Sequence, residues 1–314
     1  MDSASFDRLV AALNKIRVQI RTDLTFAELT TLGVGGTIKL VVYPDSVSRL
    51  LRAVKLLQTH GVRYVVLGRG SNVLASDAAF DGAVISTVRL NKVRIGKNAA
   101  FAQAGVSAVT FAKLLRDKGL SGGEFFACLP ASVGGAVVCN AGCYNQDVKS
   151  VLKEVTVLHN GRLRKLTADK CGLGKRTSLF KNNPDYVVLS ARFAFTQSTP
   201  QAVDERIVDF RSKKAASQPL NYRSAGCMFY HDRVAVSRLI DEAGLKGLQI
   251  GGAKISTKHA GFVVNVDKAE SKDIYLLIRR VRDILYAKYG VTAKVEACPV
   301  NFTKDEQDDL FSGS

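Results

Sequence analysis

Residues 67–74, LGRGSNVL, are the stretch on which the interpretation of the fold depends. They overlap the end of YVVLG, an apolar run that is typical of a buried strand. Gly68 and Gly70 let the backbone approach a ligand closely. Successive N–H groups, together with the side chains of Ser71 and Asn72, could then bind a pyrophosphate. An ordinary tight turn would use the same residues, and the stretch alone does not decide between the two.

A second glycine-rich stretch is LPASVGGAVVCNAGCY (129–144). Its Gly134, Gly135 and Gly142 stand among small residues, so a flat or anionic ligand could lie against the backbone there. Close packing between two elements would select the same residues. TLGVGGT and GLQIGGAK, elsewhere in the chain, match neither the Rossmann nor the P-loop pattern.

Hydrophobic periodicity predicts helices and strands in mixed order. Helices are predicted at 45–60, 107–118, 204–216, 234–243 and 271–289. Strands are predicted at 64–68, 82–87, 99–105, 185–195 and 261–266, with a hairpin around the Asn-Gly turn of 153–167. Ser271 is the predicted N-cap of the last helix and Gly290 its C′ residue. The polar segment 196–204 is the predicted domain boundary, and we expect the tail after residue 302 to fray. The class is therefore α+β.

The composition predicts a chain with a substantial hydrophobic core. Of 314 residues 46% are hydrophobic, and no apolar run reaches the ~18 residues that a membrane helix needs. The N-terminus has an amphipathic helix pattern without the apolar region of a signal peptide, so we expect a cytoplasmic protein. The six cysteines show neither C-x-x-C nor zinc spacing, so we expect free thiols and no metal site.

A net charge of +17 allows two interpretations. One is a nucleic-acid-binding protein, and the other is an enzyme whose ligands carry several negative charges. The basic residues are spread along the chain, and the richest cluster, RSKK (211–214), has no interleaved aromatic residues. This distribution favours the enzyme.

Seven stretches occur in an order and spacing that identify a family. They are TTLGVGGTIKLVVYPDS (30–46), LGRGSNVLASDAAFDGAVI (67–85), GLSGGEFFACLPASVGGAVVCNAGCY (119–144), GLGKRTSLFK (172–181), SQPLNYRSAGCMF (217–229), LIDEAGLKGLQIGGAKISTKHAGFVVN (239–265) and the VE before Ala297. Together they resemble the UDP-N-acetylenolpyruvoylglucosamine reductases. Because no extra tyrosine-bearing loop precedes SQPL, the chain is similar to the shorter, second subtype.

The resemblance implies a fold with two FAD-binding subdomains of the vanillyl-alcohol oxidase type and a C-terminal α+β substrate domain. We place these domains at 1–95, 96–203 and 204–314. It also implies the reaction: NADPH reduces non-covalently bound FAD, and the flavin reduces UDP-N-acetylglucosamine enolpyruvate to UDP-N-acetylmuramate, a peptidoglycan precursor. A nucleotide-sugar substrate with a diphosphate and a carboxylate suits a basic protein. We expect a monomer that binds neither nucleic acid nor membranes.

Three residues match the family's catalytic positions. Arg176 would polarise the substrate carboxylate, because guanidinium is charged at any working pH. Glu296 would assist through a water or as a protonated acid. Cys227 stands where the family usually has a serine that donates the proton, and a thiol with a reference pKa of about 8.5 is mostly protonated at pH 7. A nucleophile with His231 as its base, a metal ligand and an inert spacer are the alternatives for Cys227.

Further positions carry over as binding residues. The resemblance assigns FAD binding to Gly68, Arg69, Gly70, Ser71, Asn72, Val73, Pro130, Ser132, Gly134, Gly135 and Asn140. It assigns substrate contacts to Tyr144, Lys175 and His231.

Four positions depart from the family pattern. Lys175 replaces a common tyrosine, Ala131 a glycine and Gly261 an asparagine, and FYH (229–231) replaces Phe-Lys-Asn. These departures leave the substrate contacts open but not the three catalytic positions. Two rival functions are an alcohol oxidase of the same FAD fold and a basic nucleic-acid-binding protein. The glycine loops contain no histidine for covalent FAD attachment, which argues against such an oxidase.

Overall fold

The structure, a computed structural model, describes residues 2–181 and 183–311 of the chain. These residues divide into two units. Unit 1 comprises 2–22, 40–69 and 81–214, and unit 2 comprises 23–39, 70–80 and 215–311. The three domains placed at 1–95, 96–203 and 204–314 stay a prediction.

The helices and strands of the described residues are as follows. The helices are α1 (Ser3–Lys15), α2 (Phe26–Leu29), α3 (Val47–Thr59), α4 (Ala108–Asp117), α5 (Val133–Val138), α6 (Val148–Val151), α7 (Pro200–Ser217), α8 (Val236–Glu242), α9 (Ser271–Tyr289) and α10 (Lys304–Leu310), with 3-10 helices at Glu124–Cys128 and Ala168–Cys171. The strands are β1 (Gln19–Arg21), β2 (Leu24–Thr25), β3 (Thr37–Tyr43), β4 (Tyr64–Leu67), β5 (Val73–Ala75), β6 (Phe80–Ser86), β7 (Val93–Ile95), β8 (Ala99–Gln103), β9 (Leu120–Ser121), β10 (Gly142–Cys143), β11 (Gln146–Asp147), β12 (Leu152–His159), β13 (Arg162–Thr167), β14 (Val187–Ala194), β15 (Thr196–Gln197), β16 (Arg223–Cys227), β17 (Phe229–Tyr230), β18 (Gln249–Ile250), β19 (Ala253–Ile255), β20 (Phe262–Asn265), β21 (Lys294–Val295) and β22 (Cys298–Val300).

The first sheet of unit 1 has the strand order β1-β3-β6-β4, with β4 parallel to β6 and β1 antiparallel to β3. Helices α1 and α3 share its hydrophobic core, because each carries apolar residues three and four positions apart. The buried members of this core include Leu9, Leu13, Leu40, Val42, Leu50, Val54, Leu57 and Ile85. Burial of each large aliphatic side chain stabilises the fold by roughly 1.5–3 kcal/mol.

The second sheet of unit 1 has the order β13-β12-β14-β8-β7, and each strand is antiparallel to its neighbours. The predicted hairpin is confirmed, since Asn160 and Gly161 connect β12 to β13 with positive φ angles of 49° and 69°. The rings of Phe111, Phe126 and Phe193 form the centre of the core, with centroids 5.2 to 5.7 Å apart. This core holds α4 and α5 in place.

Unit 2 is built on an antiparallel sheet of order β16-β20-β19-β18, which α9 covers. The predicted helix 271–289 is confirmed, and Gly290 ends it with a φ of 64°. Its fully buried apolar face consists of Ile274, Leu277, Ile278, Val281 and Leu285.

Two details of the sequence analysis are wrong. The N-cap of α9 is Glu270, whose N–H donates to Asp273 Oδ2 at 3.1 Å, and Ser271 instead donates its hydroxyl to Asp77 at 2.8 Å. The tail does not simply fray: α10 is capped by Thr303 and packs through buried Leu310. Residues 312–314 lie outside the described residues.

Residues 196–204, the predicted domain boundary, form regular structure. They carry β15, which pairs with β9, and the first residues of α7, which begins at Pro200. The N–H of the first helical residue has no partner within the helix. Proline, which has no N–H, therefore loses no hydrogen bond there and is favoured at this position. The segment lies within unit 1, and a domain boundary there stays a prediction.

Candidate active site

The two glycine-rich stretches meet within unit 1. A Cβ on Gly68 would collide with Oγ of Ser132. Ser132 is buried and caps α5, where its Oγ accepts the N–H of Gly135 at 3.2 Å. Two segments assigned to FAD binding therefore lie against each other.

The first backbone N–H groups of α5 are hydrogen-bonded to other parts of the protein. The N–H groups of Val133 and Gly134 both donate at 2.8 Å, to the carbonyls of Val106 and Ala104. A Cβ on Gly134 would stand 2.7 Å from Cβ of Ala104, so close packing requires glycine here. Contacts of Gly134, Gly135 and exposed Pro130 with FAD stay predictions.

Arg69 is the last residue of unit 1 in this loop, and the loop continues into unit 2 with Gly70. Gly70 is buried and has a φ of 63°, and a Cβ there would stand 2.8 Å from the Thr30 Cα. Among the described residues, the N–H groups of Gly70 and half-buried Ser71 have no hydrogen-bond acceptor. A buried N–H without a protein partner is rare and implies an acceptor from elsewhere. The phosphate oxygens of FAD fit this requirement.

Asn72 and Glu296 are neighbours in unit 2, although 224 positions separate them. Strand β5, which begins at Val73, pairs in parallel with β22. Asn72 donates its Nδ2 to the carbonyl of Glu296 at 3.3 Å, and its own carbonyl accepts the N–H of Cys298 at 2.9 Å. The structure thus joins a predicted FAD-binding residue to a predicted catalytic one.

Cys227 lies beside Glu296 in the same unit. It is half-buried at the end of β16, after Gly226 with a φ of 81° and an irregularity in the pairing with β20. The carbonyl of Met228, the next residue, accepts the N–H of Glu296 at 2.9 Å. Two of the three predicted catalytic residues are therefore held by adjacent backbone segments.

His231 follows β17 at the beginning of an exposed turn. Its Nδ1 accepts the N–H of Arg233 at 3.1 Å, and Asp232 forms an ion pair with Lys294 at 2.8 Å. Nδ1 of His231 is therefore occupied by a hydrogen bond within the local turn. It is not available through this nitrogen as a base for Cys227 or as a substrate contact. A substrate contact of His231 stays a prediction.

The third predicted catalytic residue, Arg176, lies at the tip of a tight turn in unit 1. Gly174 and Thr177 close this turn through two backbone hydrogen bonds, and exposed Lys175 shares the tip. Arg176 has a φ of 58°, a left-handed conformation that costs a side-chain-bearing residue on the order of 1–3 kcal/mol. Its Nη2 donates to the carbonyl of Gly142 at 3.1 Å, which fixes the guanidinium.

Asn140 anchors this turn. Its Nδ2 donates to the carbonyl of Gly174 at 2.8 Å and to Asp147 Oδ2 at 3.1 Å. Its Oδ1 accepts the N–H of Lys149 at 2.8 Å. Both donor hydrogens of this buried amide are therefore used inside the protein. A direct contact of Asn140 with FAD stays a prediction, whereas its role in positioning the Arg176 turn is visible.

Tyr144 lies at the tip of the hairpin that joins β10 to β11. Tyr144 and Asn145 have positive φ angles of 52° and 62°, as a two-residue hairpin turn requires. The Tyr144 ring packs against Phe210 of α7, with centroids 4.8 Å apart. Partial burial raises the pKa of Tyr144. The hairpin thus presents an aromatic ring in the same unit as Arg176.

One supporting residue was missed by the sequence analysis. The side chain of Glu124 is fully buried and accepts the Ser121 hydroxyl and the Gly122 N–H, both at 2.8 Å. It also accepts Nε2 of Gln146 at 3.2 Å, which ties the Tyr144 hairpin to the 3-10 helix. The only sequence signal was a carboxylate inside the apolar run GGEFFACL. Buried carboxylates need such partners, so Glu124 fixes the hairpin.

The models of two protein families match the chain. Residues 38–167 match an FAD binding domain. Residues 218–299 match the C-terminal domain of UDP-N-acetylenolpyruvoylglucosamine reductase.

In the described part of the chain, no group of three or more His, Cys, Asp or Glu side chains is placed to hold a metal ion. No described helix combines the length and hydropathy needed to span a membrane.

Curated relatives agree with these matches. The UDP-N-acetylenolpyruvoylglucosamine reductase of Carboxydothermus hydrogenoformans is 36% identical over 273 residues, covering 86% of this chain and 90% of the relative. That of Clostridium novyi is 35% identical over 280 residues, covering 88% and 91%. The crystal structure of the Thermus caldophilus enzyme superposes with a TM-score of 0.78 at 30% identity, covering 90% of this chain and 99% of that one.

The fold, the glycine loop and these matches define the class of the protein as an FAD-binding oxidoreductase. Within that class, the chain belongs to the UDP-N-acetylenolpyruvoylglucosamine reductase family. The predicted fold class is confirmed by the same matches.

Proposed function

We propose that this enzyme reduces the enolpyruvyl ether of UDP-N-acetylglucosamine to UDP-N-acetylmuramate, with NADPH as the electron source. Family membership supports the reaction. The N–H groups of Gly70 and Ser71, which find no acceptor in the described part of the chain, support the cofactor. FAD, when bound, supplies hydride to the carbon–carbon double bond. The chain's own residues have to stabilise the charge on the substrate carboxylate, deliver a proton and hold the nucleotide.

Arg176 is proposed to polarise the substrate carboxylate. A planar guanidinium matches a carboxylate through paired hydrogen bonds, and the bond to the Gly142 carbonyl restricts its orientation in advance. Lys175, exposed at the same turn, is proposed to contribute a second cation toward a phosphate or carboxylate. Tyr144, whose hairpin supplies Gly142, is proposed to contact the nucleotide part of the substrate.

Cys227 is proposed to hold the proton that quenches the substrate carbanion, with Glu296 assisting. One observation carries this assignment: the Glu296 N–H bonds to the carbonyl directly after Cys227 at 2.9 Å. This bond holds together the two backbone segments that carry the thiol and the carboxylate, and general acid catalysis depends on such positioning.

The test compares Cys227→Ala with Cys227→Ser. The enzyme is reduced under anaerobic conditions, and the rate at which the enolpyruvyl substrate reoxidises the flavin is measured by absorbance. We expect alanine to slow this step by about 10²–10⁴-fold, the typical value of a general acid, and serine to retain most of the rate. Cys171→Ser is the matched control, because Cys171 is buried and its thiol donates to the nearby carbonyl of Thr167 at 3.3 Å. An alanine variant that turns over at the wild-type rate would refute the assignment.

The proposal also covers the setting of the reaction. We propose a monomeric cytoplasmic enzyme that binds neither nucleic acid nor membranes. The six cysteines, all in the described part of the chain, form no disulfide, which suits a reducing compartment. The richest basic cluster, RSKK (211–214), has no interleaved aromatic residues, which argues against nucleic-acid binding. Light scattering of the purified protein measures the oligomeric state, and a mass of two chains would overturn the monomer.

A further inference from the structure

Two cysteines outside the proposed chemistry meet in unit 1. Cys128 ends the 3-10 helix that begins at Glu124, and Cys143 lies on β10. β10 packs against this helix, and the Cys143 thiol donates to the carbonyl of Phe125 in it at 3.9 Å, which brings the thiols of Cys128 and Cys143 close enough to interact. Cys128 is 5% exposed, whereas Cys143 is half-buried. The fold thus brings together two free thiols that lie 15 positions apart in the sequence.

The surroundings favour a thiolate on Cys128. The neighbouring Cys143 thiol, followed by the positive charges of Lys214 and Arg211, lowers the pKa of Cys128 to about 7 against the opposing effect of burial. Lys214 also donates to the Cys128 carbonyl. The interaction with Cys128, together with burial, raises the pKa of Cys143. A thiolate beside a thiol is the arrangement in which one sulfur attacks and the other resolves.

The pair is mechanically linked to Arg176. Gly142, the residue before Cys143, accepts the Arg176 guanidinium at 3.1 Å. Asn140 ties the carbonyl of Gly174 to Asp147 at the end of the same hairpin. A disulfide holds its sulfurs at about 2.05 Å, closer than hydrogen-bonded thiols. Its formation would therefore shift β10 and the carbonyl that holds Arg176.

We propose that Cys128 and Cys143 form a modification site for hydroperoxides, at which they are oxidised to a disulfide that lowers reductase turnover by displacing Arg176. The effect on turnover rests on the proposed function, whereas the modification itself does not. The Cys128 thiolate attacks the terminal oxygen of the hydroperoxide, the O–O bond breaks, and the alcohol or water leaves after taking a proton. Cys143 then attacks the sulfenic sulfur, the S–S bond forms, and water leaves. Thiol reduction reverses the change.

The test exposes the FAD-loaded enzyme to hydrogen peroxide at neutral pH. We expect the loss of two hydrogen atoms in the intact mass, a Cys128–Cys143 cross-link in the peptide map, and its reversal by dithiothreitol. In Cys143→Ala, a sulfenic acid trapped by dimedone on Cys128 should replace the cross-link, and it should form more slowly at neutral pH because the neighbour that most lowers the Cys128 pKa is gone. Cys171→Ser should behave as the wild type, because burial raises the Cys171 pKa to about 11. A peptide map without the cross-link, in protein oxidised elsewhere, would overturn the site.

Turnover is measured on the same samples. We expect activity to fall in proportion to the disulfide and to return with dithiothreitol, and we expect Cys143→Ala to lose this reversible inactivation. A complete disulfide with unchanged turnover would refute the link to Arg176. Failure of the proposed function is distinguishable from this outcome, because it would abolish turnover in the fully reduced enzyme.

Discussion

Replacement of Asn140 by alanine separates a structural role from a cofactor-binding role. The amide is 2% exposed, so water cannot replace its partners. Alanine removes hydrogen bonds to the Gly174 carbonyl and to the Lys149 N–H, both 2.8 Å long, and one to the Asp147 carboxylate at 3.1 Å. At about 1 kcal/mol for each neutral bond and about 1.5–3 kcal/mol for the bond to a charged group, the loss is about 4 kcal/mol.

The assay is urea unfolding of the apoprotein, followed by circular dichroism because the chain contains no tryptophan. The free energy of unfolding should fall by the stated amount without FAD present. Asn98→Ala is the matched control, since Asn98 is exposed and should change stability by less than about 0.5 kcal/mol. An Asn140 variant with unchanged apoprotein stability and weakened FAD binding would refute the structural interpretation.

Three further predictions follow from single sites. Gly70→Ala should weaken FAD binding at least about tenfold in equilibrium titration, because its Cβ would press on Thr30; Gly61→Ala, with a similar φ of 66° but open space around it, should not. Glu124→Gln should lower the free energy of unfolding by about 2 kcal/mol in urea, because the new amide NH2 group would face the Gly122 N–H and the Gln146 amide, which are donors themselves and would lose their acceptor. Peroxide oxidation of Cys128 should speed up as the pH rises through about 7, where its thiol becomes a thiolate; a rate independent of pH would contradict this.

Local patterns predicted the longer helices and several of the strands. The apolar spacing in α3 and α9 and the Asn-Gly pair between β12 and β13 each depend on near neighbours in the chain, so a window of the sequence contains the whole signal. The cap of α9 was misplaced because Ser271 is a good capping residue by type, but its hydroxyl bonds to Asp77, 194 positions away. The tail was misjudged because its polar letters hide a capping box at Thr303.

In the candidate site, too, local features could be predicted from the sequence and long-range contacts could not. The glycine stretches and the residue types at 176, 227 and 296 could be recognised from the sequence. The parallel pairing of β5 with β22, which joins Asn72 to Glu296, has no local signal, because it depends on contacts across more than 200 positions. The buried carboxylate of Glu124 and the thiol pair likewise became visible only in the folded chain.

The central claim is that this enzyme transfers electrons from NADPH through FAD to an enolpyruvyl nucleotide sugar. Stopped-flow absorbance of the FAD-loaded enzyme under anaerobic conditions tests it most directly. We predict that NADPH bleaches the flavin and that UDP-N-acetylglucosamine enolpyruvate restores its absorbance in step with the formation of UDP-N-acetylmuramate. Flavin that stays reduced in the presence of this substrate would contradict the account.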